Sequence, residues 1–215
     1  MDPLRYSIPA DLLTPFLPVI AALEAVGVPY HIGGSIASST WGVPRSTQDA
    51  DIIADLQLAQ VAPFVARLQA DFYLDVLTIE TAIRQRGMFN LIHLESLFKV
   101  DVHLPQRTAF AAAEAARAQA TPLTDPPGLR VRLASPEDTI LHKLRWYQMS
   151  GGSERQWLDV LGVLKTQNTA LDQLYLQQWA TQLAVTDLLT RAWAAAGLPN
   201  EPPPDVLESP VQPAG

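Results

Sequence analysis

The chain contains no cysteine, which excludes disulfides, thiolate zinc sites and cysteine nucleophiles. Its start, MDPLRYSIPADL, lacks the basic-then-apolar order of a secretory signal, so the expected compartment is cytoplasmic. Basic residues are few: 15 Lys and Arg against 22 Asp and Glu give a net charge of −7. Proteins that grip duplex DNA non-specifically usually carry a basic excess, so that partner is disfavoured. An RNA held by a local basic patch is not excluded. No apolar run reaches the roughly 18 residues of a membrane span, and no membrane partner is expected. The four histidines, His31, His93, His103 and His142, show no metal-ligand spacing. There is no internal repeat.

What is present fits a globular chain. At 215 residues with 48% apolar and 17% charged, it can bury a substantial core in one domain or two small ones. Residues 10–26 carry apolar positions at helical spacing, with Gly27 as the stop. Val28–Ile32 reads as a strand closed by Gly33-Gly34, after which Ser35 caps a helix to Trp41 and Gly42-Val43-Pro44 breaks it. Strands are expected at Ala50–Leu56 and Phe72–Leu77, with a helix at Val61–Ala70 between them. Met88–Leu94 and Leu97–Leu104 form an antiparallel hairpin pattern. On its second strand Lys99, Asp101 and His103 share the face opposite Phe98, Val100, Val102 and Leu104. Ala109–Ala120 reads as an alanine-rich helix, Leu123–Gly128 as a connector and Leu129–Leu133 as a strand. From Ser135-Pro136-Glu137-Asp138, a strong helix start, the period becomes helical to residue 197. Trp146, Trp157, Trp179 and Trp193 fall there as core residues. The expected organisation is an α/β unit over 1–128, a helical unit over 129–197 and a proline-rich tail over 198–215.

The informative stretch is GGSIASSTWGVPRSTQDADII, Gly33–Ile53. Glycines let main chain approach a phosphate, and a following helix N-terminus offers unpaired N–H groups. Gly33, Gly34 and Ser35 are therefore candidate nucleotide contacts. No Lys-Ser/Thr pair follows, so the loop is not a Walker A sequence. Asp49 and Asp51, two apart on a strand, project the same way. Asp101, on the polar face of its own strand, is the obvious third carboxylate. Two carboxylates about 4 Å apart repel by roughly 4 kcal/mol at an effective dielectric of ~20, so such a cluster is expected to hold a cation or a proton. Phosphoryl transfer asks mainly for positioning and charge neutralisation, which divalent ions on carboxylates supply.

Gly-Gly-Ser followed by Gly-x-Pro-Arg-x-Thr-x-Asp-x-Asp-Ile resembles the DNA polymerase β-like nucleotidyltransferase superfamily. Within it, the pattern looks most like the AbiEii-type and Men-type toxin nucleotidyltransferases. The likeness covers Gly33–Ile53, Lys99–Val102 and Ser135–Leu164. It implies an α/β (α+β) fold, with a mixed sheet, flanking helices and a C-terminal helical bundle. It also implies that Gly34 and Ser35 contact the triphosphate, that Asp49 and Asp51 bind Mg²⁺ or Mn²⁺, and that Asp101 joins them and activates the incoming hydroxyl. In SPEDTILHKLRWY the resemblance gives Lys143 as a triphosphate contact, and in ERQWLDVLGVL it gives Arg155 and Asp159. The bland alternatives are a snorkelling lysine for Lys143 and a surface helix pair for Arg155 and Asp159. Arg45 either orders the loop against a carboxylate or contacts substrate. The implied reaction moves a nucleotidyl group from a nucleoside triphosphate to a hydroxyl of tRNA or protein, in a toxin setting with an antitoxin partner. The alternatives are a small-molecule, antibiotic-type acceptor and a non-catalytic nucleotide-binding regulator.

Overall fold

The structure, a computed structural model, describes residues 10–122 and 130–198. The Leu123–Gly128 connector and the tail beyond Leu198 lie outside the described residues. In chain order, α1 (Ala10–Ala25), β1 (Tyr30–Ile32), α2 (Gly34–Trp41), β2 (Asp49–Ala54) and α3 (Leu58–Leu68) come first. Then follow β3 (Phe72–Tyr73), α4 (Val76–Gln85), β4 (Met88–His93), β5 (Lys99–His103), α5 (Ala109–Arg117), β6 (Gln119–Pro122) and β7 (Arg130–Leu133). Helices α6 (Pro136–Met149), α7 (Glu154–Gln167), α8 (Gln173–Gln182) and α9 (Thr186–Ala196) complete it, with a 3₁₀ turn at Asn168–Ala170.

Among the described residues the strands make one seven-stranded mixed sheet in the order β3-β4-β5-β2-β1-β7-β6. β2 runs parallel to β5 and β1 parallel to β7, while the other neighbours are antiparallel. The expected β4–β5 hairpin is present. Alternation along the central strands decides what each face does. Ala50, Ile52, Val100, Val102, Phe89 and Leu91 turn inward and pack with Phe16 and Leu23 of α1 and Phe64 of α3. The opposite face keeps the polar residues of β2 and β5. A second core belongs to the helices: Ile140, Leu144, Val160, Val163, Leu176, Trp179 and Trp193, with Phe110 of α5.

Several elements depart from the sequence expectations. The strand expected at Phe72–Leu77 ends at Tyr73, because Asp75 caps α4 by accepting from Thr78 N at 2.6 Å. The alanine-rich helix stops at Arg117, and Gln119–Pro122 pairs with β7 instead. Ladder hydrogen bonds there outweigh a helix propensity worth only tenths of a kcal/mol per residue, and Arg132 donates to the freed Ala118 carbonyl at 3.1 Å. Ser35 is not the cap of α2: that position is Gly33, with no side-chain cap. β7 pairs with β1, so the sheet continues past residue 128. Trp179 and Trp193 are buried, but Trp146 is half exposed.

Candidate active site

The register of β2 with β5 sets Asp49 opposite Lys99, Asp51 opposite Asp101 and Ile53 opposite His103. Parallel partners share a face, so Asp49, Asp51 and Asp101 stand on one side of the sheet. Beside them, β1 ends in the glycine turn. Gly33 N donates to Asp51 O at 2.9 Å, which fixes the turn against the strand. Gly34 has φ +54°, and a Cβ there would lie 1.8 Å from Asp51 Oδ2. Only glycine fits. The first N–H groups of α2, from Gly34 onward, have no intrahelical acceptor.

Each carboxylate is held by a neighbour on its own strand face or loop. Asp49 Oδ1 accepts from Thr47 Oγ1 at 2.7 Å. Asp51 Oδ1 lies 3.3 Å from His103 Nε2, and Asp101 Oδ2 lies 2.7 Å from Lys99 Nζ. The other Asp101 oxygen, Oδ1, is buried without a hydrogen-bond partner. Burial works against the charge on Asp51, but the His103 hydrogen bond and the charges of His103, Lys143 and Lys99 prevail and hold its pKa below the ordinary value. The hydrogen bond to Asp101 raises Lys99. Among the described residues no three His, Cys, Asp or Glu side chains are placed to hold a metal ion. The carboxylates share a face without converging on a point.

The helical part contributes through one buried ion cluster. Lys143 of α6 places Nζ 2.7 Å from Asp159 Oδ2 of α7, and both side chains are almost fully buried. Arg45 grips the same carboxylate through Nε to Oδ1 at 2.8 Å and Nη2 to Oδ2 at 2.9 Å. Its Nη2 also donates to Ser35 Oγ at 2.6 Å. The loop serine is thereby tied through Arg45 to α7. Burial lowers the Lys143 pKa, although Asp159 opposes the shift. Burial would raise Asp159, yet Arg45 and Lys143 hold it low.

The structure brings eight of the residues predicted from the sequence to this region: Gly33, Gly34, Ser35, Asp49, Asp51, Asp101, Lys143 and Asp159. The snorkelling alternative for Lys143 fails because it is buried and paired. Arg155 is exposed at the start of α7, one turn from Asp159, and forms no ion pair among the described residues. The alternative of a surface helix pair with Asp159 is not realised, since Asp159 pairs with Arg45 and Lys143. Of the two readings for Arg45, the carboxylate contact is the one present. Lys99 and His103 were not expected to engage carboxylates. The signal was their position two residues either side of Asp101. Two surface clefts, of about 410 and 300 Å³, contain no candidate residue.

No family model matches the sequence, and no curated protein matches it. Solved structures do. The solution structure of the antibiotic-resistance factor ANT(2'')-Ia aligns over 86% of this chain and 99% of its own at 11% identity, with a TM-score of 0.53. This chain has the nucleotidyltransferase fold. An antigenic nucleotidyltransferase-like protein from Paracoccidioides brasiliensis aligns over 87% of this chain and 94% of its own, at 19% identity and TM-score 0.49. The lincosamide antibiotic adenylyltransferase LnuA aligns over 70% of this chain and 94% of its own, at 15% identity and TM-score 0.45. Among the described residues no helix is long and apolar enough to cross a membrane.

Proposed function

We propose that this protein is a nucleotidyltransferase that moves a nucleoside monophosphate from a nucleoside triphosphate to an acceptor hydroxyl. The observation that carries the reading is the pairing of Asp51 with Asp101 on one sheet face, with Asp51 pressed against the Gly34 turn. That arrangement supports the reading because it brings the main-chain N–H groups of a glycine turn beside acids of one sheet face. In the reaction the acceptor oxygen bonds to the α-phosphorus, the bond to the bridging oxygen breaks, and pyrophosphate leaves. The acceptor proton passes to a carboxylate, in the role expected for Asp101.

The donor set suits a hard divalent cation. Asp49, Asp51 and Asp101 offer only carboxylate oxygens, as Mg²⁺ and Mn²⁺ prefer, and the orphaned Asp101 Oδ1 has ligand capacity to spare. As they stand these three do not converge, so they would hold the ion only once their side chains turned toward a common point. A bound ion would then neutralise phosphate charge and lower the pKa of the attacking hydroxyl. Gly34 and Ser35 take the phosphates through main-chain N–H groups and a hydroxyl, while Gly33, whose N–H is engaged by Asp51 O, shapes the turn. Lys143 and Arg45, anchored by Asp159, place positive charge behind them. Arg155, exposed one turn from Asp159, would add a further cation.

The test is incubation with labelled triphosphates and Mg²⁺ or Mn²⁺ in the presence of acceptor pools. RNA, protein and small hydroxylated compounds form separate arms, because tRNA, protein and small acceptors share this chemistry. A protein partner acting as antitoxin would suppress the transfer. Asp49→Ala/Asp51→Ala is expected to lose metal-dependent triphosphate binding and transfer together. Absence of triphosphate binding by the unaltered protein would overturn the reading.

A further inference from the structure

The carboxylate row does not end at Asp101. In the antiparallel β4–β5 ladder Asn90 stands opposite Asp101, Met88 opposite His103 and Ile92 opposite Lys99, and Tyr73 of β3 stands opposite Ile92. Asp51, Asp101 and Asn90 therefore form one line across three neighbouring strands. At the usual strand spacing, Asn90 lies about 5 Å beyond Asp101 and about 10 Å from Asp51. The inward residues of the same strands, Phe72, Phe89 and Leu91, are buried, whereas Asn90 is exposed and Tyr73 is 62% exposed. The open face next to the acids is thus an amide flanked by Ile92, Met88 and an aromatic ring.

Its charge is as informative as its shape. None of Tyr73, Met88, Asn90 and Ile92 is charged, and beyond Met88 the surface runs into the cleft of about 300 Å³ lined by Leu77, Thr78, Thr81 and Gln85. That cleft also has no ionisable side chain in its lining. Three nearby cations are engaged: Lys99 with Asp101, Arg84 with Glu80 and Arg86 with Asp55. Nucleic acid is bound chiefly by neutralising phosphates with free Lys and Arg, and the residues of the face itself, Tyr73, Met88, Asn90 and Ile92, supply no cation. Small-molecule sites instead combine apolar lining with a few polar groups that fix orientation.

Resting on the nucleotidyltransferase reading, we propose that the exposed face of β3 and β4 is the acceptor subsite. It takes an uncharged small molecule that carries hydroxyls and an apolar or planar flank. Asn90 binds a hydroxyl or ether oxygen next to the one that attacks, and so sets which hydroxyl lies beside Asp101. Tyr73, Ile92 and Met88 cover the flank.

The experiment uses the full chain with Mn²⁺, labelled triphosphates and three separate acceptor pools: aryl glycosides, total RNA, and Ser/Thr/Tyr peptides. Label is expected in the aryl glycosides. Asn90→Ala is expected to raise the glycoside KM at least tenfold and to lower kcat or scatter the label over several hydroxyls, with the triphosphate Kd changed less than twofold. Tyr73→Ala, an exposed change that leaves the core intact, should raise the same KM. Label in RNA or peptide but not glycoside overturns the inference. So does triphosphate binding with no glycoside product, or an acceptor KM indifferent to both variants. Failure to bind triphosphate at all overturns the underlying reading instead.

Discussion

Two residues at the glycine turn and its neighbour carry much of the site's geometry. Gly34 combines positive φ with an Asp51 oxygen where its Cβ would be. Gly34→Ala must therefore displace the carboxylate or the turn. A non-glycine residue held in such a conformation costs about 1–3 kcal/mol, and the larger effect falls on function. Triphosphate affinity is expected to drop at least tenfold while most of the fold's stability is kept, as read by binding titration and thermal melting. Arg45 is the second case. Its fork meets both oxygens of Asp159 and Ser35 Oγ at once, which an ammonium cannot do. Arg45→Lys should weaken triphosphate binding about tenfold. Asp159→Ala leaves Lys143 and Arg45 without their counter-ion, and breaking a buried pair this way costs about 3–5 kcal/mol. Urea denaturation checks that figure, and an Asp159→Ala protein as stable as the wild type would contradict the buried-pair account.

At the scale of elements, α5 is tied to the sheet and to α6 by one carboxylate. Glu114 Oε1 lies 3.1 Å from His31 Nε2 on β1 and 2.9 Å from His142 Nε2 on α6. Phe110 packs on the His142 ring, and Asp138 and Arg145 also act on its charge. Burial disfavours the Glu114 charge, yet the two imidazoles bring its pKa from 4.5 to about 2. Burial also disfavours charged His142, but Glu114 and Asp138 raise it above 6.5. The signs follow by linkage. The Glu114 contribution is complete above pH 4.5 and fades as pH falls toward about 2. The His142 contribution is complete below pH 6.5 and fades as pH rises through its raised pKa. Stability should therefore decline on both flanks, and Glu114→Gln should flatten both declines in urea midpoints measured against pH. None of this trio was legible as a unit in the sequence, because strand β1 and helices α5 and α6 meet only through tertiary packing. The alternation of β2 and β5 was legible, since side-chain period is local. Strand order was not: that Asp51 faces Asp101 depends on a parallel ladder between segments 50 residues apart. Local reading also overran at Ala118, where a ladder rather than intrinsic preference ended the helix.

The described residues form two cores, and the candidate site straddles their joint. The sheet core and the helical core are separate sets of buried residues, and Trp41 packs against both. Its indole donates to Ala134 O at 2.8 Å, while its carbonyl accepts from Gln167 Nε2 at 2.7 Å. Immediately after it, the backbone of Gly42 meets α7 so closely that a Cβ would lie 2.7 Å from Val163 N and 2.8 Å from Gly162 C. A side chain at Gly42 must push α7 away from α2, since the obstructing atoms are backbone. The same shift would draw Asp159 from Arg45 and Lys143 from the carboxylate face, because both sit on the displaced layer. Gly42→Val is therefore expected to uncouple the cores without emptying either. The wild type should unfold in urea as one transition, and the variant in two. Fluorescence from the buried Trp179 and Trp193 would report the helical core, and far-ultraviolet dichroism both cores. Triphosphate affinity should fall in parallel with the splitting. A single transition merely moved to lower urea, with affinity retained, would show instead that the joint is not where the two halves are held to the site.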